Sequence, residues 1–450
     1  MGDMPGSASR HLWEHFTPLR LVGVAPTIVR GEGCYVWDTE GKRYLDGLAG
    51  MFVNQVGSGR KVLAQAAARQ AETLHYFPIW GHAHQPAIQL ADRLAALTPG
   101  DLNRVFFTTG GSEAVETAWK FAMQYFRLMG QPQRRKVISR ELSYHGTTLG
   151  ALSITGLTDI KTPFEPLVPG TFHVPATILF RSGLTPEQLA VERASAIEEA
   201  ILREGPETVA MVILEPVQNA GGCIPPPADY FRRVREICVR YGVLYVSDEV
   251  ICGFGRLGYM FGVQRFGVQP DIITCAKGLT SGYSPLGACI ISDRLAEPFL
   301  GEGPSFLHGI TFGGHPVSCA VAMANLDIIE GEGLLERVRQ MEPLFKATLE
   351  SLWDIPIVGD IRGAGAFWAV ELVKERETNG HYSDEEADFL LRDLLTPELV
   401  KAGLICRADD RGDPVVQLSP PLIMGPTQFE EMAAAMRQAF TVAAAAVAKL

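Results

Sequence analysis

The chain has 450 residues, of which 47% are hydrophobic and 20% charged, and its formal net charge is −11. That composition excludes an intrinsically disordered chain. The acidic balance, with no long Lys/Arg run, leaves no basic footprint for a nucleic-acid partner.

The stretch "MGDMPGSASRHLWEHF" is small and polar and lacks the apolar core of a signal peptide. Gly6 stands where a myristoylation motif wants Ser or Thr. No apolar run approaches the length of a membrane span; "TVAAAAVA" near the end is short and reads as helix. The eight cysteines are scattered without a C-x-x-C pair, which fits a reduced, cytoplasmic protein better than a disulfide framework or a metal site. "PTIVRGEGCYVWDTEGKRYLDG" reads as a strand–turn–strand piece, and residues 1–50 are assigned to an N-terminal segment that packs with a small domain.

From about Asp101 to Asp293, short apolar strands alternate with helical patterns. "RVFFTT", "KVISR", "TVAMVILEP", "VLYVSDEV", "DIITCA" and "GACIISD" have no polar face. Strands buried on both sides look like that, and they predict an α/β fold with a mainly parallel sheet between helices. "SEAVETAWKFAMQYF" puts Val115, Ala118, Trp119, Ala122, Tyr125 and Phe126 on one helical stripe. Residues 51–330 form this large domain. After "EGEGLLERV" the rhythm changes. "DIRGAGAFWAVELV", "GLICRAD" and "VVQLSPPLI" read as strands of a smaller α+β domain, residues 331–450, closed by a helix from about Pro426.

Open parallel sheets bind ligands beyond the carboxyl ends of their strands, and several polar residues fall there. "TTGGSEA" opens a helix after a strand. Gly110 and Gly111 allow close backbone approach, and Ser112 sits where free N–H groups favour a phosphate; a plain capped turn reads the same way. In "SYHG", Tyr144 could offer a ring face to a planar group, or simply pack; His145 reads more readily as a hydrogen-bonded structural residue than as a catalyst. Asp248 and Glu215 end apolar strands, where a carboxylate is costly unless it meets a cation or donors. Lys277 ends "DIITCA". Desolvation would favour its neutral, nucleophilic amine, although a stem packed on apolar surface with its head in water is the plainer alternative. Taken together, a phosphate cradle, a stacking tyrosine, a strand-end aspartate and a desolvated lysine are the parts that hold pyridoxal 5'-phosphate.

With "GEGCYVWDTEGKRYLDGLAG", "SDEVICGFGRLG", "CAKGLTSGYSPLGA" and "LICRAD" in view, the chain resembles the class III pyridoxal-phosphate aminotransferases of fold type I. Within them it is most similar to the omega-amino acid (beta-alanine):pyruvate type, the omega-transaminases. The resemblance implies that Lys277 is the Schiff-base lysine and proton shuttle and that Asp248 pairs with the pyridinium nitrogen. It implies that Gly111 and Ser112 hold the phosphate, that Tyr144 stacks on one ring face with His145 and Gly146 beside it, and that Val250 packs on the other face. The reason given by the sequence for Val250 is alternation, two residues after Asp248 in an extended segment, with Ile251 pointing elsewhere. Glu215 would orient the Asp248 side. Thr311, with Phe312 in "HGITFGGHP", would reach the phosphate of a neighbouring subunit, making a homodimer, or a tetramer, with shared sites. Arg407 would bind the substrate carboxylate, with Phe52 and Trp80 as aromatic pocket positions.

Two positions depart from the family pattern. Asn219 stands where many relatives have glycine, which puts the approach of Gln218 to the cofactor in doubt. Ala220 stands where 2-oxoglutarate-using relatives often carry a glutamate, which leaves pyruvate as the expected acceptor. The activity implied is ping-pong transamination from an omega-amino acid or primary amine. Alternatives on the same scaffold are a 2-oxoglutarate-dependent enzyme, a racemase, an aminomutase or a decarboxylase. A nicotinamide oxidoreductase would need G-x-G-x-x-G between an early strand and helix, and "TTGGSEAVE" does not supply that spacing.

Overall fold

Strands with no polar face need cover on both sides, and they find it in a seven-stranded sheet. The structure, a computed structural model, describes residues 11–18, 23, 25–409 and 411–448. The first ten residues, on which the reading of the N-terminus largely rests, lie outside the described residues. Across the sheet the order is Leu102–Thr108, Gly287–Ser292, Ile272–Cys275, Leu244–Asp248, Val209–Leu214, Lys136–Arg140 and Thr171–Val174. Neighbouring strands run parallel except at Gly287–Ser292, which is antiparallel to both its neighbours. The link 276–286 is too short for a covered crossover, so the chain turns back on itself there.

Alternate residues feed opposite cores. Met211 and Ile213 join Val115, Ala118, Ala122 and Phe126 of helix Gly111–Leu128, while Val212 and Leu214 join Ile197, Ile201 and Val234 on the far side. Five of the six residues of the sequence-predicted helical stripe are buried; Tyr125 stays partly open. Thr171–Val174, a half-buried edge strand of four residues, carried no apolar signal and escaped the sequence reading.

A second, antiparallel sheet contains Val358–Ala364, Phe367–Leu372, Val415–Leu418 and Arg407–Asp409. Its core joins Phe345, Trp368, Leu418, Met432 and Phe440, the last two from helix Pro426–Val447. "GLICRAD" is two strands. Leu404–Ile405 pairs parallel with Arg43–Asp46 of the N-terminal sheet, and Arg407–Asp409 pairs with Val415–Leu418. The N-terminal strands therefore lean on the C-terminal helix. The Tyr35 hydroxyl donates to Glu431 at 2.9 Å, and Arg43 meets the same carboxylate at 2.8 Å. The eight cysteines are all free, and seven are buried. Among the described residues no helix is long and apolar enough to cross a membrane, and no group of three or more His, Cys, Asp or Glu gathers to hold a metal.

Candidate active site

A cavity of about 450 Å³ opens at the carboxyl ends of the central strands. Gly111, Ser112, Tyr144, His145, Gly146, Glu215, Asp248, Val250 and Lys277 all line it. Residues that sequence reasoning drew from widely separated stretches thus converge on one space.

Its floor is built from strand ends. Asp248 closes Leu244–Asp248 and is 4% exposed. One carboxylate oxygen lies 2.6 Å from Nδ1 of buried His145. The other accepts from the Thr274 hydroxyl at 3.2 Å and the Val250 N–H at 3.1 Å. That last bond bends the chain. Val250 reaches the cavity through a turn closed by the Asp248 side chain, not through extended alternation, and Ile251 lines the cavity too instead of pointing elsewhere. Glu215 is buried beside this pair. Its Oε1 accepts from the Asn219 N–H at 3.1 Å, and Oε2 has no hydrogen-bond partner among the described residues. Burial pushes its carboxyl above the ordinary range, Asp248 adds to the rise, and His145 and Arg140 oppose it.

Lys277 begins a short 3-10 turn in a left-handed conformation, φ 40°, that few residues with a side chain accept. Asn325, fully buried on helix Pro316–Gly331, holds that turn in place. Its side-chain amide donates to the carbonyls of Gly278 and Leu279 at 2.9 and 3.0 Å, and its oxygen accepts from the Ser281 hydroxyl at 2.7 Å. Burial pushes the Lys277 ammonium down, and Asp248 and Glu215 pull against that; Arg407 and Arg411 add to the depression. The lysine is thus biased toward the neutral amine its chemistry needs.

Backbone forms the wall opposite. Helix Gly111–Leu128 starts from extended Gly110, so its first N–H groups face the cavity. The Glu113 carboxylate is turned back onto the Thr109 N–H at 2.8 Å and hydroxyl at 2.7 Å. The loop carrying Tyr144 closes over the helix start, with the Thr147 N–H 3.2 Å from Ser112 Oγ. Gly146 makes this possible. It has φ 120°, and a Cβ there would sit 2.3 Å from Ser112 Oγ. Gly111 is equally constrained, since its Cβ would fall 2.7 Å from Val250.

The remaining expected residues stay off the wall. Phe52 is 2% exposed and packs edge-on against Phe367 at 5.8 Å; Val53 lines the cavity in its place. Left-handed φ values at Ala49, Gly50 and Phe52 kink the segment and turn the ring inward. Gln218 is buried too, its amide donating to the Glu141 carbonyl at 3.0 Å. Trp80, Thr311 and Phe312 are exposed and do not line the cavity of their own chain. Trp80 covers Gly309, and the Thr311 carbonyl accepts from the Tyr76 hydroxyl at 2.8 Å. Arg407 is half-buried, near enough to Lys277 for its charge to act there. Sequence reasoning missed Val53, Thr109, Thr280 and Ser284 on the wall, and Arg411 above it. "RADDRGD" gave no signal for Arg411 beyond a charged turn.

The class-III aminotransferase family model matches residues 22–440. The chain belongs to this family. An aminotransferase of Mycobacterium tuberculosis is 59% identical over 440 residues, covering 97% of this chain and 94% of its own. The putrescine–pyruvate aminotransferase of Pseudomonas aeruginosa is 39% identical over 427 residues, 94% of this chain and 92% of its own. Among solved structures, an (S)-enantioselective omega-transaminase from Thermomicrobium roseum superposes with a TM-score of 0.91 at 42% identity, covering 96% of each chain. The fold is that of the fold type I transaminases, and the cofactor of this aminotransferase is pyridoxal phosphate. The residues present fit it. The free N–H groups at the helix start suit a phosphate, the two glycines leave space no Cβ would permit, and Glu215 Oε2 and His145 Nε2 are buried polar atoms beside the cavity without a partner among the described residues.

Proposed function

We propose that this aminotransferase moves an amino group from an omega-amino acid or primary amine to pyruvate by a ping-pong sequence. One observation carries the reading: Lys277 and Asp248, drawn from the ends of two neighbouring strands, line a single cavity. Pyridoxal phosphate, when bound, supplies an aldehyde carbon that carries the amino group and a ring that takes up electrons. Gly111 and Ser112 would hold its phosphate, Tyr144 and Val250 its two faces, and Asp248 its ring nitrogen.

Lys277 Nζ is the base. Pushed by burial toward its neutral form, it takes the proton from the donor carbon and returns it on the opposite side of the reaction. His145 and Thr274 keep the Asp248 carboxylate in one orientation. Arg407 would receive the substrate carboxylate through its planar fork. Pyruvate is favoured over 2-oxoglutarate because Ala220 brings no carboxylate to the place where dicarboxylate-using relatives keep a glutamate. The relative named for pyruvate supports the same choice. Thr311 and Phe312, exposed and off their own cavity, suit contact with a second copy, so the working unit is a homodimer with shared sites. Free, mostly buried cysteines suit a reducing cytoplasm.

The test is a half-reaction. Donor alone should change the bound coenzyme's visible absorbance and release about one equivalent of carbonyl product per site; pyruvate should then restore the spectrum and yield alanine. A racemase or decarboxylase would turn over without a keto acid. Lys277→Ala should lose both the coenzyme's tethered spectrum and turnover, by roughly 10³-fold or more. Full turnover in that variant would end the assignment.

A further inference from the structure

The cavity's electrostatics do not end at its wall. Strands Arg407–Asp409 and Val415–Leu418 form a hairpin in which Arg407 lies opposite Gln417. Residues 411–414 of the hairpin's tip face the loop that carries Tyr144. There the Arg411 guanidinium lies 5.6 Å from the centre of the Tyr144 ring, and Tyr144 itself lines the cavity. The two residues after Arg411 tie the tip down. Gly412 sits against Leu142 and Gly221, where a Cβ would come within 3.6 and 3.5 Å. Asp413 pairs with Arg181 at 2.6 Å and with His381 Nδ1 at 2.6 Å. Arg181 in turn meets Glu371 at 2.6 Å and the Asn379 carbonyl at 2.9 Å.

We propose that Arg411 is a specificity residue: it draws carboxylate-bearing substrates to the cavity and disfavours amines without one. The chain as a whole carries −11, so an approaching carboxylate meets a repulsive field, and a fixed cation at the entrance reverses it locally. Arg411 lies beside Tyr144 of the cavity wall, Arg407 sits on the same hairpin, and both are near enough to Lys277 for their charges to act there. The substrate class is therefore amines and keto acids with a free carboxylate, and Arg411 adds to the part given to Arg407. This inference rests on the transaminase reading.

The experiment replaces the residue in a charge series, Arg411→Lys, Arg411→Ala and Arg411→Glu, in the holoenzyme. The readout is the ratio of kcat/KM for β-alanine to that for 1-phenylethylamine, which has no carboxylate. That ratio should fall roughly tenfold in Arg411→Ala, less in Arg411→Lys and more in Arg411→Glu. Its ionic-strength dependence should shrink in the same order. Binding of propanoate, an unreactive carboxylate, is measured on the same proteins by calorimetry and should weaken in step. This second arm needs no turnover, so it tests Arg411 even if the transaminase reading fails. An unchanged ratio and unchanged propanoate binding across the series would overturn the proposal. So would an equal loss for both amines, the mark of a merely structural role.

Discussion

The cavity has a floor and a mouth, and the two are built on different principles. At the floor, Asp248, His145, Glu215 and the Lys277 turn are held by short bonds between buried groups, with Asn325 pinning the turn from behind. At the mouth, Arg407 and Arg411 ride on one hairpin, both half-buried. A buried charge must find its partners within the chain, because leaving it unpaired costs several kcal/mol. A half-buried charge keeps part of its hydration and can act on a ligand that approaches it. The floor should therefore govern whether the chemistry runs, and the mouth which molecules it runs on.

The sharpest test of that division is Asp248→Asn. It leaves the shape and removes the carboxylate that meets His145 and would face the ring nitrogen, so kcat should fall by roughly 10²–10³ for every donor alike. A loss confined to one donor class would dissolve the distinction.

Glu249 probes the layer beneath the floor. It is fully buried, accepts from the Gly262 and Val263 N–H groups at 2.7 Å each, and is pushed by burial from its ordinary 4.5 up to about 7. The unfolded chain releases that proton near 4.5 and the folded chain keeps it to about 7, so stability should fall as pH rises between those values and level off above. The contribution is on the order of 3 kcal/mol, read as the pH slope of the denaturant midpoint, and Glu249→Gln should flatten it.

Gly146→Ala tests the cradle. Its Cβ would collide with Ser112 Oγ, and the conformation disfavours any side chain. Coenzyme affinity should drop by about 1–3 kcal/mol, measured by equilibrium titration of the apoenzyme.

Arg407→Ala should do least to the chemistry. KM for β-alanine should rise roughly tenfold with kcat little changed. A kcat loss rivalling that of Asp248→Asn would show the mouth to be part of the floor.

The same division explains what the sequence revealed. Lys277 and Asp248 were legible because an ionisable residue at the end of an all-apolar strand is anomalous and demands a reason. Gly110, Gly111 and Ser112 read equally as a phosphate cradle or a plain capped turn, and Gly146 came only with the family resemblance. Val250 was found for the wrong reason, since a turn closed by a side chain leaves no trace in alternation. Phe52 was misplaced because the left-handed kink at Ala49 and Gly50 cannot be read from residue types alone. Arg411 was invisible: a guanidinium in "RADDRGD" looks like any solvated turn until the hairpin brings it over Tyr144. The large sheet followed from its apolar runs, and the edge strand Thr171–Val174 did not because it is half-exposed.

The hairpin between Arg407 and Leu418 has a practical corollary. It is anchored through Asp413, Arg181 and Gln417, whose amide donates to the Asn219 carbonyl at 2.7 Å, and none of these residues lines the floor. Arg411 and Gly412, ahead of the Asp413 anchor, are thus an interchangeable part. An engineer wanting a different amine scope could swap those two residues while the machinery that makes and breaks bonds is left as evolution built it.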